Sequence, residues 1–218
     1  MANHKLLVNK PYVEIGGVKW ATMNVGANSE TDYGLYFQCG DTAGYTSGQC
    51  GSSSASYKKP FYWNDYKFCN GTSASTQPAS AFTKYNQSTD VKATLDEWDD
   101  AAVANWGGDW RMPTTAEFQA LGAATTSAWT TSYNNSGIPG LVLTDKTDSS
   151  KTLFFPAAGR CYSGSFYNGG SYGSYWSSSL YSSGVRNAYG MDFNSSNVGW
   201  QSGSSRCGGR SVRPVLGS

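Results

Sequence analysis

WGGDWRMPTTAEF, residues 106–118, carries the clearest structural punctuation in the chain. Thr114 follows Pro113 and has Glu117 three residues on, a capping box in which each side chain satisfies a free backbone N–H of the other residue. The spacing predicts a helix that opens at Thr114, runs through Phe118 and Leu121 and stops near Gly122. Upstream, Thr94 to Trp106 places Leu95, Trp98, Ala102 and Val103 on one side of a first helix. Asp96, Glu97, Asp99 and Asp100 crowd its first turns, where carboxylates favour the positive end of the dipole. We read those carboxylates as solvated caps rather than paired catalytic acids, and Trp98 and Trp106 as core.

Outward from the two helices the pattern changes to strands. Tyr12 to Ile15, a Gly16-Gly17 turn, Val18 to Asn24 and Tyr33 to Gln38 lie before them. Thr42 to Tyr57 reads as a surface loop, followed by an aromatic cluster, Phe61, Tyr62, Trp63, Tyr66 and Phe68, packed in or on the core. After the helices come Leu141 to Thr144 and Thr152 to Phe155, joined as a hairpin through Asp145 to Lys151, then Ala188 to Asn194 and Ser211 to Val215. Helices in the middle and strands at both ends imply an α+β domain, residues 1–218, whose termini meet in one antiparallel sheet.

Charged residues make up 14% of the chain, well below the roughly 25% of an average soluble domain. Ser, Thr, Asn, Gly and Tyr must therefore cover the surface. A formal net charge of +1 without a basic cluster gives no reason to expect nucleic acid as partner. No apolar run is long enough to insert in a membrane, and Met1 to Lys10 lacks the apolar stretch of a secretion signal. The five cysteines, Cys39, Cys50, Cys69, Cys161 and Cys207, show no CxxC spacing and read as mostly free thiols, with a Cys39–Cys50 bridge as the alternative. Lone His4 reads as a solvated terminal residue, and no catalytic group, metal or cofactor is assigned.

The segment 160–210 is dominated by Ser, Gly, Tyr and Asn, and no Lys follows Lys151. A low-complexity linker would share the Gly and Ser content. It would not need the tyrosines, Phe166, Trp176, Phe193 and Trp200 interleaved at strand spacing. The composition instead suits recognition: Tyr gives rigid amphipathic contact area, while Ser, Gly and Asn adapt their hydrogen bonding. Along 188–194, Tyr189, Met191 and Phe193 alternate with Gly190, Asp192 and Asn194, the period of a half-buried strand.

The 106–118 stretch, with Val18 to Ala27, Tyr33-Gly34, Gly40-Asp41-Thr42, Phe154 to Gly159, Tyr175 to Ser179 and Ser211 to Val215, resembles C-type lectin-fold domains of gut Bacteroidetes and their phages. Within that group, the C-terminal segment resembles the variable region of a diversity-generating retroelement target protein. The resemblance implies a C-type lectin-like fold with two helices, antiparallel sheets and long irregular loops. In that family, randomised adenines turn AAC codons into codons for Tyr, Ser, Gly, Asp, Arg, Cys, Phe or Asn but never Lys, Glu, Gln, Met or Trp. Under that filter Met191, Trp176, Trp200 and Gln201 are fixed scaffold. Tyr162, Tyr172, Ser174, Tyr181, Ser183, Arg186, Gly190, Asp192, Gly199, Ser202, Ser204, Ser205, Cys207 and Gly208 are candidates for variation and ligand contact.

Cys161 and Cys207 then read as products of randomisation rather than a bridge. Variation at Gly190 and Asp192 is expected to leave the core untouched, and the changeable set to lie exposed on one continuous face. The implied protein is a non-enzymatic receptor-binding module, at a phage tail tip or a bacterial surface, for a cell-surface protein or glycan. Tyr162, Tyr172 and Tyr181 would anchor the ligand, with Arg186 and Asp192 supplying charge. One alternative is an invariant adhesin or lipoprotein domain that binds glycans through its aromatics. Another, a formylglycine-generating-type copper-dependent oxidase, shares the WRxPTxxE-like stretch and an Arg206-Cys207 pair but needs two nearby cysteines, where this chain has Cys207 and the distant Cys161. Trp63-Asn64-Asp65 is similar to a calcium-ligating tripeptide of sugar-binding lectins, but it precedes both helices and lacks a partner motif, so it reads as loop.

Overall fold

Gly16 and Gly17 both adopt positive φ, +60° and +77°, the backbone that a tight two-residue hairpin turn requires. They join β1 (Tyr12–Ile15) to β2 (Val18–Ala21), with Tyr12 opposite Ala21. The computed structural model describes residues 10–51, 58–70 and 79–217; His4 and part of the expected 42–57 loop lie outside them. β2 is shorter than the expected 18–24 strand because its continuation turns away to meet the C-terminal segment, where Val25 N–H donates to the Val212 carbonyl at 3.0 Å. The 33–38 stretch forms no strand. Tyr36 and Phe37 make single bridges to Tyr45 and Arg210 instead.

The first expected helix is cut in two. Glu97–Asp99 is a single 3-10 turn, and α1 covers only Ala101–Trp106. Asp100 sits between them in extended backbone, and its carboxylate accepts from the N–H groups of Ala102 (2.8 Å), Val103 (3.1 Å) and Met112 (2.8 Å). Neither Asp99 nor Asp100 is a solvated cap. Asp99 is buried and takes Lys67, Lys84 and the Tyr85 hydroxyl, which is how a buried carboxylate is kept ionised. The break also throws Trp98 outward, 71% exposed rather than core, while Trp106 is buried.

α1 ends at Gly107 and Gly108, both with positive φ, and β3 (Trp110–Arg111) follows. At α2 (Thr115–Ala124) the capping box forms as expected: Glu117 N–H donates to Thr114 Oγ1 at 3.2 Å, and Thr114 N–H to Glu117 Oε2 at 2.7 Å. The helix continues through Gly122, where the ring of Trp200 lies so close that a Cβ would come within 2.5 Å of it. It runs directly into β4 (Thr125–Thr130), a strand not expected from the sequence. β4 pairs with β5 (Gly140–Asp145), which pairs with β6 (Thr152–Pro156) through the expected Asp145–Lys151 hairpin.

The last third contributes the β7–β8 hairpin (Arg160–Tyr162, Ser165–Tyr167) and a three-stranded sheet in the order β11-β10-β9. Its strands are β9 (Tyr172–Leu180), β10 (Asn187–Asn194) and β11 (Val198–Ser205). β12 (Val215–Leu216) inserts between β2 and β3, so strands from both ends of the chain share one four-stranded antiparallel sheet. The described residues thus form a mixed α/β structure with two short α-helices and several small antiparallel sheets. One core cluster packs Phe118 and Leu121 of α2 on Leu141, Phe155, Tyr175 and Met191. A second gathers Trp63, Tyr66, Phe68, Phe82 and Tyr85 around Trp106, Trp110 and Trp176, whereas Tyr62 faces solvent.

Candidate ligand-binding surface

The β9–β11 sheet has a closed side and a side that meets solvent in part. Tyr175, Met191 and Phe193 are buried against α2 and β5–β6, which is the alternation read from the sequence. Tyr189 departs from it: the pairing of β10 shifts register on both sides of Gly190, and Tyr189 lies half-buried against the Tyr181 ring, centroids 4.8 Å apart. On the other side lies Trp176, fully buried and covered by the Arg210 guanidinium at 4.7 Å.

Four of the expected contact residues, Ser174, Gly190, Asp192 and Cys207, are not placed as foreseen: three are buried and Asp192, of intermediate exposure, is tied up in an ion pair. Gly190 is buried, and a Cβ there would stand 2.2 Å from the Tyr175 carbonyl oxygen. Asp192 is held by Arg210 Nη1 at 2.6 Å and by the Ser174 hydroxyl at 2.7 Å, and Ser174 itself is fully buried. Variation at Gly190 and Asp192 would therefore reach the core. Cys207 lies in the main core cluster, where burial pushes its thiol up to about 12.

Cys161 is bonded to Cys50, with Cα atoms 5.6 Å apart. That corrects both its reading as a free product of randomisation and the Cys39–Cys50 alternative. Cys39, Cys69 and Cys207 are free thiols. The strand alternation of β7 explains the arrangement: Cys161 points inward to Cys50, while Arg160 and Tyr162 point outward.

Outward, a cavity of about 250 Å³ opens between β7 and the end of β11. Tyr162, Ser204, Ser205 and Gly208 line it together with Arg160 and Arg210. Tyr162 is 38% exposed. Gly203 also borders the cavity and lies under the Tyr181 ring, so Tyr181 and Tyr189 extend the same surface. Ser183 is exposed and Arg186 half-buried on the turn that leads from Tyr181 into β10. Tyr172 is half-buried beside Asp192; burial first, then that charge, raises its phenol. Gly199 and Ser202 sit farther along β11, where the Ser202 hydroxyl donates to the Gly199 carbonyl at 3.3 Å. Of the expected changeable set, Tyr162, Ser204, Ser205 and Gly208 line this cavity and Tyr181 lies beside it, but Ser204 and Gly208 are buried rather than exposed, and Ser174, Gly190 and Cys207 lie in the interior.

Sequence reasoning missed Arg160 and Arg210. The available signal was position: Arg160 is two residues from Tyr162 on a strand and shares its face. Two further arginines near the end of the chain are structural. Arg206 donates to the Tyr85 carbonyl at 3.1 Å among the rings of Tyr66, Phe82 and Tyr85. Arg213 donates to Asn24 Oδ1 (2.9 Å) and to the carbonyls of Ala21 and Phe154, and burial pulls it down to about 10. Among the described residues no three His, Cys, Asp or Glu gather to hold a metal ion, and no helix is long and apolar enough to cross a membrane.

Residues 143–215 match the model of a domain of unknown function, DUF8237. The DUF8237 match covers about a third of the chain, from within β5 to β12, and contains the whole candidate surface. No curated protein and no solved structure matches the chain.

Proposed function

We propose that this chain is a non-enzymatic ligand-binding module of C-type lectin-like fold whose 160–210 segment is a diversified contact surface for a cell-surface protein or glycan. The observation that carries the reading is the division of that segment. Its Trp176, Met191 and Phe193 are buried scaffold, while Tyr162, Ser204, Ser205, Gly208 and Tyr181 border one outward cavity and its rim. Tyr and small residues around a concavity are a recognition composition. The shared sheet of both termini and the two short helices agree with the lectin-like arrangement. The Cys50–Cys161 bond suits an oxidising setting, as a phage tail tip or a bacterial surface would provide. An oxidase of the formylglycine-generating type is disfavoured because Cys161 is bonded to Cys50 and Cys207 is buried.

Sequencing the locus in independent isolates tests the diversification. The expected result is a nearby reverse transcriptase, a near-identical repeat with adenine-only mismatches, and variation at Tyr162, Tyr181, Ser183, Ser205 and Gly208 but not at Gly190 or Asp192. Invariance at all of these positions would overturn it. It would favour a second reading, an invariant surface adhesin, to which the locking of Ser174, Gly190, Asp192 and Cys207 already lends weight.

A further inference from the structure

The cavity under Tyr162 has a charge that its own walls do not cancel. Arg160 and Arg210 both line it, and no carboxylate does. Asp192 neutralises Arg210 from behind, at 2.6 Å. Among the described residues Arg160 has no carboxylate within ion-pairing distance; its guanidinium lies over the Tyr172 ring, 5.7 Å from the centroid. Stacking of this kind orients a guanidinium while leaving its N–H fork free. The two cations also sense each other: burial, and among neighbouring charges Arg160, pull Arg210 down, while Asp192 opposes them. A partly enclosed site with one uncompensated cation attracts an anion, and an arginine fork matches a carboxylate in particular.

The remaining wall narrows the class of anion. Ser204 and Ser205 line the cavity, and among the described residues neither hydroxyl hydrogen-bonds to the protein, in contrast to Ser202, which is satisfied by Gly199. The partly exposed ring of Tyr162 lines the same cavity. A carboxylate on an acidic peptide side chain would occupy the arginine and leave both hydroxyls unused. An acidic sugar brings a carboxylate, several hydroxyls and an apolar ring face together. The volume, about 250 Å³, is below the roughly 300–1,000 Å³ of drug-sized sites and suits a single ring. We propose that this cavity binds the carboxylate-bearing ring of an acidic sugar, a uronic or sialic acid at a glycan terminus, with Arg160 taking the carboxylate, Ser204 and Ser205 the ring hydroxyls and Tyr162 the apolar face.

Gly208 sets the depth of the site. Gly208 lines the cavity, and a Cβ added there would lie 3.6 Å from the Tyr162 ring and 3.3 Å from the Ser205 carbonyl. Gly208 is not among the positive-φ residues, so a side chain needs no left-handed backbone there, but the Ser205 carbonyl must give by a few tenths of an ångström to admit it.

This inference rests on the reading of the 160–210 face as the ligand surface. Calorimetric titration of the full chain with glucuronic acid and N-acetylneuraminic acid tests it, beside methyl glucoside and N-acetylglutamate. The expected result is saturable binding of an acidic sugar that weakens with salt. Binding should be at least about tenfold weaker for methyl glucoside and N-acetylglutamate, and for Arg160→Gln and Gly208→Asp with wild-type melting temperatures; tenfold is the loss of one charge-assisted contact. Absence of saturable binding of both acids, equal binding of the neutral sugar, equal binding of N-acetylglutamate, or equal binding by Arg160→Gln would each overturn it. The same proteins are applied to immobilised glycans and intact gut bacteria. If Tyr162→Ala abolishes capture there while carboxylates prove irrelevant, the surface reading stands and the acidic-sugar assignment falls. If Tyr162→Ala and Arg160→Gln both leave capture unchanged, both fall.

Discussion

Asp99 shows how much of this molecule is decided by single side chains. Burial alone would raise its carboxyl, but Lys67, Lys84 and Tyr85 outweigh that and hold it below the ordinary range. A carboxyl whose folded value lies below its unfolded value, near about 3.9, adds stability above that pH and loses it as pH falls through the folded value. Asp99→Asn is therefore expected to lower the urea midpoint at pH 7 and to flatten its decline below about pH 4. An unchanged acid limb in the variant would show that the three partners do not hold Asp99 ionised. None of this was legible from residues 96–100, because Lys67, Lys84 and Tyr85 come from other parts of the chain. The same holds for Gly190 and Asp192: alternation separated them from Met191 and Phe193, but could not show that the Tyr175 carbonyl closes on Gly190 and that Arg210 holds Asp192.

At the level of elements, what is encoded locally was readable and what is encoded across the chain was not. The box of Thr114 and Glu117 marks the start of α2 because both partners lie within four residues. The break before α1 depends on Met112, twelve residues beyond Asp100, and so a long helix was expected where a short one forms. β4 has mostly exposed or half-exposed residues and gives little hydrophobic period to read. The β7 strand, which carries Arg160 and Tyr162, is tied to Cys50 across a sequence separation of 111. A bond that closes so long a loop restricts the unfolded chain, so replacing Cys50 and Cys161 with Ser is expected to cost about 2–4 kcal/mol. The loss is read from urea unfolding at neutral pH. Equal stability with and without the bond would mean that the hairpin is held by its other contacts alone.

For the whole molecule, the four-stranded sheet of β1, β2, β12 and β3 and the buried clusters form the frame on which residues 160–210 are folded back. Arg213 reaches Asn24, Ala21 and Phe154 at once, linking the first strands, β6 and the last turn before β12. The segment contributes both core and surface, which is why its composition pointed to recognition while the individual contact residues could only be sorted once the sheet was seen. The division is the central claim, and binding by the outward half tests it most directly. If the proposed surface binds a cell-surface ligand, any capture of intact bacteria or immobilised glycans by the full chain should be lost in Tyr162→Ala/Tyr181→Ala, with an unchanged melting temperature. Undiminished capture by this folded variant would contradict the claim that the Tyr162–Tyr181 face is the ligand-binding surface.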